Sequence, residues 1–119
     1  MIVCAIEDLL FSINISSAAK RQGVEVFFER PPGRVLSSVR ERQPTLLILD
    51  LNSVRLNPMD VIAAIKADPS LSGVRTLGYV SHADAETVAR ARNAGIDEVL
   101  ARSAFTSQIG EVLARDSAG

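Results

Sequence analysis

Apolar residues in this chain come in short unbroken runs, each followed by a stretch with helical spacing. Leu46-Leu47-Ile48-Leu49 runs without polar alternation and stops at Asp50. A strand covered by helices on both faces reads this way, because neither face meets water. Ile2 to Ile6 is a similar run ending in Glu7-Asp8, and Val24 to Phe28, Val74 to Val80 and Ile96 to Leu100 complete the set. Between them, Phe11, Ile15, Ala18 and Gln22 predict a first helix capped by Gly23. Val35, Leu36 and Val39 predict a second, entered through the Pro31-Pro32-Gly33 turn and ending near Arg42 and Pro44. Pro58 suits the first turn of a third, with Val61, Ile62 and Ile65 inward. Asp84 or a neighbour caps a fourth, which carries Val88 and Ala91 and finishes at Gly95. Phe105, Ile109, Val112 and Leu113 make one last helix, with a frayed tail from Asp116 to Gly119.

Five strand-then-helix units of about 20 to 25 residues imply a parallel sheet with right-handed crossovers. Five are too few for an eight-fold barrel, so the sheet is expected to be open and doubly wound, in a single α/β domain over residues 1–119. No internal linker, repeat or low-complexity segment interrupts it.

Composition narrows the function classes. Of 119 residues, 47% are hydrophobic and 23% charged, as in ordinary soluble domains, and the net charge is -1. That balance offers no electrostatic footprint for nucleic acid or an anionic membrane. One cysteine excludes an internal disulfide and a cysteine-rich metal site, and Cys4 reads as a core thiol. No apolar stretch approaches the roughly 20 residues that span a bilayer. With strand-like sequence at the start there is no room for a signal peptide, so a cytoplasmic protein is expected.

Ligands of open α/β sheets gather beyond the carboxyl ends of the strands. The residues closing each strand are Glu7 and Asp8, then Asp50, Ser81 and Arg102. Two like charges 4 Å apart repel by roughly 4 kcal/mol at an effective dielectric of about 20. Such acids therefore need a cation, a shared proton or an arginine, and Mg²⁺ is the natural divalent choice. His82, in a strand-to-helix loop, reads as a solvated turn residue.

This pattern resembles the receiver domain of bacterial two-component response regulators, over essentially the whole chain. The resemblance implies a flavodoxin-like (βα)5 fold with strand order 2-1-3-4-5. It further implies Mg²⁺ on Glu7, Asp8, Asp50 and the backbone carbonyl of Asn52, with Asp50 as phosphoacceptor. Ser81 and Arg102 would contact the phosphoryl group. The partners implied are a sensor histidine kinase or another signalling protein. A homodimer through the fourth helix, fifth strand and fifth helix is an option, since Arg90, Arg92, Asp97, Glu98 and Arg102 put both charge signs there. The function implied is a stand-alone phosphorelay domain with output through protein contacts.

The sequence departs from the family at several points. Arg102 stands where the family has lysine and Ser103 where it has proline. Val99 replaces a frequent aromatic, and Leu9-Leu10 replace a polar loop. A guanidinium is wider and forked where an ammonium is compact. Two readings of Arg102 follow: it contacts phosphoryl oxygens, or it lies across the acids as a built-in counterion. The second makes the chain a phosphorylation-independent pseudo-receiver adaptor. In it Asp50 merely pairs with Arg102 or Arg55, and Glu7 and Asp8 serve only the charge at a helix start. Gly-x-Gly-x-x-Gly and Gly-x-Ser-x-Gly are absent, and Glu7-Asp8 would repel a flavin phosphate, so no enzyme activity is indicated.

Overall fold

The computed structural model of the chain describes residues 1–81 and 84–118. Strands β1 (Ile2–Ala5), β2 (Val26–Phe28), β3 (Leu46–Asp50), β4 (Arg75–Val80) and β5 (Glu98–Ala101) form one parallel sheet. Their order is β2-β1-β3-β4-β5, as the resemblance implied. Between and after them come α1 (Leu9–Gln22), α2 (Val35–Arg42), α3 (Pro58–Ala67), α4 (Ala85–Ala94), α5 (Arg102–Ser107) and α6 (Ile109–Ala118).

Each unbroken apolar run is shared residue by residue between two cores. Val3, Ala5, Leu47 and Leu49 pack with Val35 and Val39 of α2 and Val61, Ile62 and Ile65 of α3. Ile2, Cys4, Leu46, Ile48, Leu77 and Tyr79 pack with Phe11 and Ile15 of α1, Phe105 of α5, and Val112 and Leu113 of α6. Side chains alternate with period two along a strand. Asp50 therefore continues the side of Leu46 and Ile48, and it stands in register with Tyr79. Leu51 goes to the other side and lies over Gly78, where a Cβ would come within 2.5 to 2.7 Å of its side chain. Gly78 thereby sets how closely the chain leaving β3 approaches β4.

Local chemistry fixes the helix ends. Asp8 caps α1 by accepting from the Phe11 N–H at 3.1 Å, and Asp84 caps α4 by accepting from Glu86. Gly23 and Gly95 take the left-handed conformation, at φ 68° and 101°, that closes α1 and α4. At the amino end of the sheet Asp97 accepts from Lys66 Nζ at 2.8 Å and from the Thr76 N–H at 2.8 Å. Burial works against this carboxylate, yet these donors outweigh it and hold its pKa below the usual range.

Several predicted boundaries shift for identifiable reasons. β2 begins at Val26, because the Val24 N–H is spent on Ala19 O in the cap of α1. β5 begins at Glu98, because the Ile96 N–H closes α4 on Ala91 O and the Asp97 N–H goes to Thr76. The last helix is two helices. At Gln108 the backbone turns to φ −107°, ψ 12°, and its N–H is shared between Ala104 O and Phe105 O. Thr106 and Ser107 hydroxyls donate to the carbonyls of Arg102 and Ala104, a local competition that weakens the helical ladder. Residues 116–118, expected to fray, form the last turn of α6, and Gly119 lies outside the described residues. Among the described residues no helix is long and apolar enough to cross a membrane.

Candidate functional site

Because all five strands are parallel, their carboxyl ends share one edge, and the residues singled out from the sequence gather there. Asp50 ends β3 half-buried. Its Oδ1 accepts from the Asn52 N–H at 2.9 Å, and among the described residues it forms no ion pair. Burial raises its pKa above the usual carboxylate value; the Asn52 N–H and the field of Arg102 oppose the rise, while Glu7 and Asp8 add to it. The acids are thus within electrostatic reach of one another.

Glu7 and Asp8 are each held by a guanidinium. Arg102, the first residue of α5, brings Nη2 to 2.5 Å from Asp8 Oδ2. Its Cζ lies 4.6 Å from the centroid of the Phe11 ring, within cation–π range. The Arg102 hydrogen bond, followed by the cap bond from Phe11, holds the Asp8 pKa below the usual range. On Glu7, Oε1 accepts from the Ser53 hydroxyl at 2.5 Å and Oε2 from Arg55 Nη1 at 3.1 Å. Arg55 therefore goes to Glu7, and neither arginine pairs with Asp50 as one sequence reading had it. Ser53 escaped the sequence reading as a partner of Glu7. The Asn52-Ser53-x-Arg55 spacing directly after the strand end was its one available signal.

Asn52 contributes its side chain, whose Oδ1 accepts from the Ser81 N–H at 2.6 Å and ties the ends of β3 and β4 together. Beneath the acids lies an aromatic trio. The Phe11 centroid is 4.8 Å from that of Tyr79 and 5.3 Å from that of Phe105. The Tyr79 hydroxyl is buried with no hydrogen-bond partner among the described residues, and burial, reinforced by Asp50, raises its pKa. His82 lies outside the described residues.

A divalent ion was expected on Glu7, Asp8, Asp50 and the Asn52 carbonyl. In this arrangement the donor set does not fit one. Both Glu7 oxygens, both Asp8 oxygens and Oδ1 of Asp50 already accept from the chain's own donors. Among the described residues no three acidic, histidine or cysteine side chains stand close enough together to hold an ion.

The face next to the site is less open to ionic pairing than its composition suggested. Asp97 is held by Lys66, Glu98 by Arg115 and Arg102 by Asp8, all within the chain. Between α4 and β5 runs a largely apolar groove of about 510 Å³, lined by Val80, Ala85, Val88, Ala89 and Ala101 together with Asp84 and Arg92.

The chain matches no protein-family model and no curated protein. Solved structures of response regulators do share its architecture. The response regulator (signal receiver domain) from Bermanella marisrubri is 18% identical at a TM-score of 0.81, over 98% of this chain and 96% of that one. The phosphorylated cyanobacterial phytochrome response regulator RcpA is 22% identical at a TM-score of 0.71, over 94% and 87% of the two chains. The Mn²⁺-bound response regulator Rcp1 is 15% identical at a TM-score of 0.76, over 93% and 89%. The fold is that of a response-regulator receiver domain.

Proposed function

We propose that the domain is a receiver-type signalling module that acts by protein contact, without taking phosphate on Asp50. The observation that carries this reading is the pairing of both β1-end acids with arginines, Asp8 with Arg102 and Glu7 with Arg55. Phosphoryl transfer to a carboxylate needs developing negative charge neutralised by an ion or a mobile cation. Here the cations are already committed. Output goes through the groove between α4 and β5, whose small side chains leave room for a large apolar side chain of a partner protein. Arg92, which lines the groove together with Asp84, can meet a carboxylate beside that side chain. Leu9, Leu10, Ile13 and Val54 are 59 to 92% exposed. They belong to the segments that follow Glu7-Asp8 and Asp50, which adds apolar contact surface near the same edge.

A second reading has Asp50 accept a phosphoryl group from a kinase histidine. It is favoured by Asp50 Oδ2, the one oxygen of the three carboxylates without a bond among the described residues. Incubating the chain with a small phosphodonor and Mg²⁺, then weighing it intact, separates the two. The expected result is no added phosphoryl group in the wild type or in Asp50→Ala. A gain in the wild type that Asp50→Ala abolishes would establish the second reading instead.

A further inference from the structure

We infer that Arg102 and Arg55 stand permanently in the place of a divalent cation, so that the acid pocket of this receiver fold is closed to metal. This deepens the proposal above and rests on it. A bridging ion would do two things at such an edge: offset carboxylate charge and fasten loops from different strands to one another. The arginines do both. Glu7 and Asp8 are each paired with a guanidinium, and the field of Arg102 reaches Asp50. Arg102 fastens the start of α5 to the start of α1, and Arg55 with Ser53 fastens the segment after β3 to the end of β1.

The replacement is chemically stable in a way that a lysine would not match. A guanidinium does not deprotonate in proteins, so a change of pH cannot vacate the site from the arginine side. Arg102 is further held over the Phe11 ring, within the same helix that Asp8 caps. An entering Mg²⁺ or Mn²⁺ would have to strip Arg102 from Asp8 and Arg55 from Glu7. It would then have to build a near-octahedral oxygen shell at about 2.0–2.1 Å. With both arginines in place, no trio of acids among the described residues stands arranged to repay that cost.

The test is a thermal melt of the full chain in MnCl2, against NaCl at equal ionic strength. The wild-type midpoint is expected to stay put up to about 10 mM Mn²⁺, whereas a ligand at ten times its Kd would raise it by roughly 5 °C or more. In Arg55→Ala/Arg102→Ala the midpoint falls, and Mn²⁺ restores several degrees; adding Asp8→Ala removes the rescue. If the double variant does not fold, Arg55→Ala alone carries the comparison, because the Arg55 side chain is 74% exposed. Tyr79, the sole tyrosine in a chain without tryptophan, reports on the pocket by its emission. A wild type that Mn²⁺ stabilises overturns the inference, as does an arginine-free variant that Mn²⁺ leaves unchanged. Mn²⁺ stabilisation with no phosphoryl gain in the mass experiment sinks this inference alone; a phosphoryl gain sinks the functional proposal.

Discussion

Phe11→Ala is expected to lower the stability of the domain by about 3–5 kcal/mol, the range for truncating a fully buried aromatic. The ring is 2% exposed and meets Tyr79 and Phe105, which reach it from β4 and α5. Removing it opens a cavity in one core and leaves only the Tyr79–Phe105 pair of the trio, 5.7 Å apart. It also takes away the surface on which Arg102 lies. The pair with Asp8 should loosen in Phe11→Ala and in Phe11→Leu alike, since neither has an aromatic face. The loss ought to be larger in Phe11→Ala, which gives up the volume as well. Urea unfolding of the two variants beside the wild type measures the difference. Equal losses would mean that the volume of the side chain contributes nothing beyond its aromatic face.

Asp50→Asn is expected to stabilise the protein at pH 7 and to raise its melting midpoint, by an amount that solvent screening keeps modest. Its carboxyl has a raised pKa in the folded state, so the folded chain holds that proton more tightly than the unfolded chain does. Stability from this group therefore falls as pH rises from the ordinary carboxylate value through the raised one, and stays reduced above it. Asp8 behaves oppositely. Its pKa is depressed by Arg102, so its contribution is present above the ordinary value and fades as pH falls through the depressed one. The advantage of Asp50→Asn should accordingly shrink on acidification, as the wild-type carboxyl takes up its proton. Midpoints of both proteins across that range test the sign, and an advantage that grows toward low pH would contradict it.

The architecture was legible because the apolar runs are short, unbroken and bounded by strong punctuation. Leu46 to Asp50 is the strand that the pattern predicts, and Pro58, Asp84, Gly23 and Gly95 mark helix ends where they stand in the sequence. The split at Gln108 was not legible. Phe105, Ile109, Val112 and Leu113 keep helical spacing across it, and the break comes from hydroxyls competing for backbone carbonyls. At the site, the end of each strand told which residues meet, because parallel strands bring their carboxyl ends together. It did not tell which cation takes which acid. Arg55 and Arg102 were both visible, but only the path of the chain after β3 sends Arg55 to Glu7. Asp97 and Glu98 looked free for a partner for the same reason: Lys66 and Arg115, which hold them, stand 31 and 17 residues away in sequence.

The pairing of Asp8 with Arg102 is measured most directly by a double-mutant cycle of Asp8→Ala and Arg102→Ala, followed by urea unfolding at low salt. Losing the α1 cap weakens both variants that lack Asp8, so the cycle cancels it and isolates the pair. A favourable coupling of about 1 kcal/mol that shrinks as salt is added is the predicted result. Losses that simply add would mean that Arg102 is not the cation of this pocket.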